Sequence, residues 1–200
     1  MRIRVLALAG AVALAGSLTL AAPEEKKAEM SPEMQAQMDA WRKVAAPGEH
    51  HKHLDAYAGN WKIHTKFWMD ANQPPEESDG KAENTWVLGG RFLQQRYKGE
   101  SMGEPFEGLG FLGYDNAAGE YSSLWMDNHG TMMGLASGTC SDGGKVHAWT
   151  GSYLDPATGA TKSYRSVSRT EDATHYVFEM HETGPDGKEH KSFEIRHERM

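Results

Sequence analysis

Histidines are the residues in this sequence whose type and spacing first indicate chemistry. Ten occur in 200 residues, and three form the run His50-His51-x-His53. Imidazole nitrogens bind zinc and copper, so His50, His51 and His53 are candidate metal ligands. No carboxylate or second histidine pair lies at a diagnostic spacing. A solvated or capping segment, with His53 in a structural hydrogen bond, is therefore the alternative interpretation.

Methionine is a second possible metal ligand, because thioether sulfur suits Cu(I). The chain has 11 methionines, but their spacing is typical of packing. Met34 and Met38 lie on one face of a predicted helix, and Met126 and Met180 lie within predicted strands, where methionine commonly fills gaps. We expect no resident cofactor, with zinc and copper as open alternatives.

Amphipathic aromatic residues and a few arginines on predicted strands form the candidate ligand site. Small-molecule sites combine apolar walls with a few oriented polar groups. The residues that fit this description are Trp86, Arg91, Tyr97, Tyr114, Trp125, Trp149 and Arg165. Core packing is the alternative role for each. Because an unpaired buried charge is costly, Arg91 or Arg165 facing inward would predict an anionic ligand head group or an internal carboxylate.

Motifs for nucleophilic or nucleotide chemistry are absent from the sequence. It has no G-x-S-x-G elbow, and Cys140, the single cysteine, has no neighbouring histidine. Residues 108–113 match G-x-G-x-x-G, but a turn and another strand follow where a dinucleotide site requires a helix. These glycines are better explained by a bent strand or by room for a neighbouring aromatic ring. We expect a protein that is not an enzyme.

The N-terminus predicts export. Arg2 and Arg4 precede an apolar run from Val5 to Leu20, and Thr19-Leu20-Ala21 is a small-x-small cleavage site. The run is too short and too rich in Ala and Gly for a stable membrane anchor, so residues 1–21 are predicted to be a signal peptide and the mature protein periplasmic or secreted. The formal charge of −7 becomes more negative by two without Arg2 and Arg4, which argues against a nucleic-acid partner.

A tether and an amphipathic helix are predicted for residues 22–46. Ser31 is a good N-cap, Pro32 suits the first helical position, and Pro47-Gly48 ends the helix. Met34, Met38 and Trp41 recur at helical spacing. We expect this stripe to pack on the domain or to close one end of it. A partner-binding face, as in a non-enzymatic envelope scaffold, is the alternative.

The remaining residues, 47–200, predict one all-β domain. From Asn60 onward apolar residues alternate with polar ones, and ten β-like runs are separated by short connectors such as Asp142-Gly143-Gly144. None of these connectors suits the helical crossover of a parallel sheet. We expect an antiparallel up-and-down meander of about ten strands that closes into a barrel, because closure removes exposed edges. Ten strands leave room for a cavity, and a flattened sandwich is the alternative.

Gly59-Asn60-Trp61 opens the first predicted strand, and a G-x-W before such a meander resembles the calycin superfamily of lipocalins and fatty-acid-binding proteins. The sequence also contains His53-Leu54, Leu88-Gly89-Gly90-Arg91-Phe92-Leu93, the run from Phe106 to Asp115, and Trp125-Met126-Asp127. Together these stretches resemble the bacterial family known as domain of unknown function 1579, over roughly residues 47 to 200. That family has no established activity. The calycin resemblance implies a basic last-strand residue across Trp61, with Arg199 preferred over Arg196.

The same resemblance includes a ten-stranded haem-binding relative of the fatty-acid binders. If His64, His147, His175 or His181 faced the cavity, it could ligate haem iron; without a C-x-x-C-H motif any haem would be non-covalent. The function expected from the sequence is lipocalin-like binding of a small apolar or amphipathic molecule. A metal- or haem-binding periplasmic protein and an envelope scaffold are the alternatives.

Overall fold

The computed structural model describes residues 30–184 and 187–200. The predicted signal peptide and most of the tether lie outside these residues. Helix α1 spans Pro32–Ala45, and the Ser31 hydroxyl accepts a hydrogen bond from the Met34 backbone N–H, as expected of an N-cap. Helix α2 spans Glu49–Lys52 and continues into a 3₁₀ helix, His53–Tyr57. We call residues 49–57 the floor segment.

Ten antiparallel strands form a closed barrel in which each strand pairs with its sequence neighbours and the first pairs with the last. The strands are β1 Gly59–Phe67, β2 Glu76–Val87, β3 Phe92–Ser101, β4 Glu104–Asp115, β5 Glu120–Asp127, β6 Gly134–Ser141, β7 Val146–Leu154, β8 Thr161–Thr170, β9 His175–Thr183 and β10 Glu189–Arg199. The predicted fold class is confirmed.

The hairpin between β3 and β4 is tighter than the sequence predicts. The sequence pattern predicts strands over residues 91–98 and 106–114 with seven residues between them, but the structure pairs Ser101 with Glu104 across a two-residue turn. Met102 and Gly103 both have positive φ, 53° and 77°. This backbone matches the twist of the flanking strands, so both strands continue up to the turn.

The core lies inside the barrel at the end covered by the floor segment. Leu54 and Tyr57 of that segment are 0% and 1% exposed, and they pack with Trp61, Leu93 and other inward residues. We call this the closed end and the opposite end, with the β1–β2, β3–β4, β5–β6, β7–β8 and β9–β10 connections, the mouth.

Arg199 completes the closed end. Its guanidinium carbon lies 4.2 Å from the centre of the Trp61 ring, and its Nη1 donates to the Ala58 carbonyl at 2.9 Å. The predicted pairing of Arg199 with Trp61 is confirmed. Gly59 has a φ of 124°, and a Cβ there would overlap the guanidinium. The glycine of the G-x-W sequence is therefore required by the arginine that covers the tryptophan.

The apolar stripe of α1 does not pack on the barrel, contrary to expectation. Met34, Met38 and Trp41 are 55%, 36% and 74% exposed, and none of the helix is buried. The helix is joined to the barrel mainly by Asn116, whose Nδ2 donates to the carbonyls of Val44 and Ala46. The floor segment, which follows α1, already covers the closed end. Over residues 30–184 and 187–200, no helix combines the length and apolar character needed to cross a bilayer.

Candidate functional site

A cavity of about 890 Å³ occupies the barrel between the closed end and the mouth. Small-molecule sites commonly have volumes of roughly 300–1,000 Å³, so the cavity has the size of a ligand site. Its wall is built from inward-facing residues of every strand, with aromatic rings alternating with small or hydroxylated side chains. Tyr57 contributes to it from the floor segment, and Met102 and Met132 contribute at the mouth.

Three of the predicted ligand-binding residues line this cavity: Tyr97, Trp125 and Trp149. They come from β3, β5 and β7, and the rings of Tyr97 and Trp125 meet edge to face with centres 5.2 Å apart. Such contacts fix the rings in position. The structure brings these three side chains to one cavity, and a ligand-binding role for them stays a prediction.

Glycines make room for the aromatic wall. A Cβ at Gly108 would overlap the Trp125 ring, and one at Gly110 would lie 2.9 Å from it. Gly138 leaves the same space for Trp149, whose ring would lie 2.6 Å from a Cβ at that position, and Gly151 leaves space for Tyr164. The interpretation of the 108–110 glycines as space for a neighbouring ring is confirmed, whereas Gly113 faces Phe92 on the outer surface.

Trp86 and Tyr114 point inward but lie beyond the cavity, under the floor segment. The Trp86 Nε1 donates to Asp55 Oδ1 at 2.8 Å, and the Tyr114 ring stacks on His50 with centres 4.2 Å apart. Both rings attach the floor segment to the barrel. Neither ring is part of the cavity lining, because the floor segment fills that end of the barrel; a ligand-binding role for them stays a prediction.

Arg91 and Arg165 also lie outside the cavity. Arg91 precedes β3 and its Nη1 donates to the Leu88 carbonyl at 3.2 Å. Arg165 lies between the inward residues Tyr164 and Ser166, so strand alternation directs it outward. There it forms a two-bond pair with Glu189, at 3.1 and 2.9 Å. The condition for an anionic head group, an inward arginine, is not met.

The His50-His51-x-His53 run has packing and hydrogen-bonding roles in the floor segment. His51 is 5% exposed, and its Nδ1 accepts from the Gly48 N–H at 3.1 Å. Burial lowers the pKa of His51. His53 Nδ1 is 2.8 Å from the Tyr121 hydroxyl, in the structural role that was the alternative. No group of three His, Cys, Asp or Glu side chains within the described chain is placed to hold a metal ion.

The four histidines considered for haem do not line the cavity. His64 faces outward and pairs with Asp79 and Glu77, both at 2.9 Å. His175 pairs with Asp172 on the outer surface, and His181 shares its outward side of β9. His147 points inward but is 0% exposed at the closed end, 2.8 Å from the Tyr57 hydroxyl.

A buried polar network closes the inner end of the cavity, and the sequence prediction missed it. The Tyr97 hydroxyl is 2.6 Å from His197 Nε2, and Tyr176 stacks on His197 with ring centres 3.7 Å apart. Burial lowers the pKa of His197 to about 3 and that of His147 to about 4. Both imidazoles are therefore neutral at pH 7. The alternation of β10 could have indicated the inward position of His197, because His197 lies on the same face of that strand as Phe193 and Ile195, which line the cavity.

A closed ten-stranded antiparallel barrel with an internal cavity defines the class of protein and fits a calycin-like fold. The chain belongs to the family described as "Protein of unknown function (DUF1579)", which it matches over residues 46–199. No protein of curated function shows significant similarity to it.

Two solved structures resemble this one. Rv2717c from M. tuberculosis superposes with a TM-score of 0.58 at 16% identity, over 78% of this chain and 99% of that one. This likeness shows the shared fold alone. A redesigned β-barrel is similar at a TM-score of 0.39 and 15% identity, over 76% of this chain and 96% of that one.

Proposed function

We propose that this protein is an exported binding module that holds a small apolar or amphipathic molecule inside its barrel. The cavity of about 890 Å³ carries the proposal. It reaches the mouth, so a ligand can enter without opening the strand pairing. Aromatic walls supply apolar contact area, and burial of apolar surface stabilises a complex by roughly 25 cal/mol per Å² before the costs of binding.

Unpartnered polar groups within the wall also favour a ligand. Ser166 is 2% exposed and lines the cavity, and within the described chain its hydroxyl has no hydrogen-bond partner. The Gln95 amide also lines the cavity without a hydrogen-bond partner in the described chain, and this residue is half-buried. Both groups face the cavity with unused hydrogen-bonding capacity, so a ligand with a polar atom within reach of Ser166 or Gln95 would gain an oriented contact there.

Titration with 1-pyrenemethanol, an apolar fluorescent alcohol, tests the proposal. We expect saturable binding with an increase in fluorescence anisotropy. Ala136→Phe fills the cavity from β6 and is expected to weaken binding at least tenfold. Leu135→Phe, on the exposed outer face of the same strand, is the matched control and should leave the affinity unchanged. Equal binding by both variants, or none by the correctly folded wild type, would reject the cavity as a binding site.

Export is tested separately with the full chain expressed in a bacterium. We expect a mature protein that begins at Ala22 and is recovered outside the cytoplasm. This expectation is based on Arg2, Arg4 and the Thr19-Leu20-Ala21 cleavage site. The intact mass of the protein in each cell fraction shows whether the first 21 residues have been removed and where the protein is found. Recovery of the uncleaved 22.1 kDa chain in the cytoplasm would reject export and leave the binding proposal standing.

A further inference from the structure

The charge facing the cavity has one sign. Asp127 on β5 and Glu182 on β9 lie on the inward side of their strands and line the cavity near the mouth, with the exposed Glu76 at its rim. Among the described residues, no lysine, arginine or histidine is part of the lining. A ligand in this cavity therefore meets negative charge at the mouth and neutral groups elsewhere.

Neutral donors, rather than cations, hold the two inward carboxylates. Asp127 accepts from the Trp125 Nε1 at 2.9 Å and from the His129 backbone N–H at 3.0 Å. Glu182 accepts from the Tyr153 hydroxyl at 2.8 Å. These bonds fix the carboxylates in position. Asp127 has no cationic partner among the described residues, whereas Glu182 lies within electrostatic reach of Lys162, which stands opposite Tyr153. Burial and the adjacent Glu182 raise the pKa of Tyr153 to about 12, so it stays a donor.

The basic residues nearest the mouth have other placements. Lys162 on β8 shares the inward side of Tyr164 and Ser166, but its ammonium is bound to Asp155 at 2.7 Å and it is not part of the lining. Lys66 on β1 is bound at 3.1 Å to Glu77, at the rim of the cavity. His190 is paired in strand register with Glu182 but is not part of the lining. Every charged residue of the described lining is thus a carboxylate, and Lys162 beside Glu182 is the nearest cation outside it.

Aromatic rings meet these carboxylates through their polar edges. The Trp125 ring N–H donates a hydrogen bond to Asp127, and the Tyr153 hydroxyl donates one to Glu182. Both rings are part of the cavity wall. Aromatic faces attract cations, most strongly in Trp, with roughly 0.5–2 kcal/mol per contact. A positive group at the mouth would be attracted by the carboxylates and would lie near the wall rings Trp125 and Tyr153, whereas an anionic group would be repelled by the carboxylates.

We infer that the cavity takes an amphipathic organic cation: an ammonium or similar group at Asp127 and Glu182, an apolar or aromatic body along the wall, and one polar atom within reach of Ser166 or Gln95. This rests on the proposed function and names the ligand class for the same cavity. It also separates the protein from barrel proteins whose ligands are carboxylic acids.

Three probes that share one ring system test the charge preference: 1-pyrenemethylammonium, 1-pyrenemethanol and 1-pyrenecarboxylate. We expect the ammonium to bind at least tenfold more tightly than the alcohol, and the carboxylate more weakly than the alcohol. Because salt screens partly exposed charges, the preference should shrink between 0.05 and about 0.5 M NaCl while the affinity for the alcohol stays level.

Two charge-neutralising variants locate the effect. Asp127→Asn and Glu182→Gln should each weaken ammonium binding about three- to tenfold and leave alcohol binding within twofold. Glu83→Gln removes one carboxylate from the exposed outer face of β2 and is the matched control; it should change neither.

The outcomes separate the two proposals. If alcohol, ammonium and carboxylate bind equally, or if neutralising Asp127 and Glu182 leaves the ammonium affinity unchanged, the charge inference is wrong and the binding function stands. If none of the three probes binds, the binding function fails and the charge inference falls with it.

Discussion

His147 and His197 connect the stability of the barrel to pH through their burial. Their pKa values in the folded protein are about 4 and about 3, against 6.5 for an ordinary histidine. Below pH 6.5 these histidines take up protons in the unfolded chain but not in the folded protein. Their contribution to the free energy of unfolding is therefore fully present above pH 6.5 and is lost as the pH falls towards 4. The slope is at most about 1.4 kcal/mol per pH unit for each histidine.

Urea unfolding measured between pH 7.5 and 4 checks this expectation. Replacing His197 by Gln should lower the stability at pH 7, because the bond to Tyr97 changes, and should also flatten the decline with acid. His129→Gln, on the exposed β5–β6 turn, should retain the wild-type slope. A slope for His197→Gln that equals the wild type would show that His197 does not cause the acid sensitivity.

Gly108 sets the position of Trp125 in the cavity wall. Gly108→Ala would place a methyl group on the indole ring, so the ring must shift, and we expect a loss of about 1–3 kcal/mol in the free energy of unfolding. Gly134→Ala is the matched control. It lies opposite Trp125 on the next strand, and its nearest contact would be an ordinary 3.7 Å. Equal unfolding midpoints in urea for the two variants would contradict this account.

Helix α1 and the floor segment have different relations to the barrel although they are adjacent in sequence. Deleting residues 30–46 should lower the free energy of unfolding by about 1 kcal/mol or less, since α1 buries no residue and its link to the barrel is the Asn116 amide. Thermal unfolding measures it. Deleting residues 49–57 instead should unfold the protein, because Leu54 and Tyr57 are fully packed. A large loss on removing α1 alone would mean that its stripe packs on the barrel.

The strands and the helix could be predicted from local patterns, because alternation, caps and turn residues act over a few positions. Ser31, for example, caps α1 as expected. The partner of an amphipathic stripe is a tertiary property, so the exposure of Met34, Met38 and Trp41 could not be derived in this way. The length of β3 and β4 was underestimated because Met102, a residue uncommon at positive φ, occupies the turn.

The candidate site was only partly predictable, for a reason that concerns the whole barrel. A choice by residue type alone finds the wall residues Tyr97, Trp125 and Trp149. It also includes Arg165, which points outward because its neighbours Tyr164 and Ser166 face the cavity. Strand parity would have excluded Arg165. It would not have separated Trp86 and Tyr114 from the cavity, because their depth depends on how far the floor segment enters the barrel.

Closure of the molecule depends on the contact between Trp61 and Arg199 at the ends of the barrel sequence. Arg199→Met removes the cation from the ring and the bonds to the Ala58 and Ala173 carbonyls, and we expect a loss of about 2–4 kcal/mol in the free energy of unfolding. Arg96→Met, on the exposed outer face of β3, should change it by less than about 0.5 kcal/mol. Urea unfolding of both variants is the measurement, and similar losses would remove the special role of Arg199.

The pairing of β1 with β10, from Trp61 opposite Arg199 to Phe67 opposite Phe193, also fixes when the protein can finish folding. Neighbouring hairpins can form as soon as their residues are available, but the first strand has to wait for the last. During synthesis, β1 remains an open edge until about residue 199 emerges. A chain that stops before β10 would expose the edges of both β1 and β9, and such edges recruit other chains. Protection of both edges from other chains therefore depends on residues 189–199.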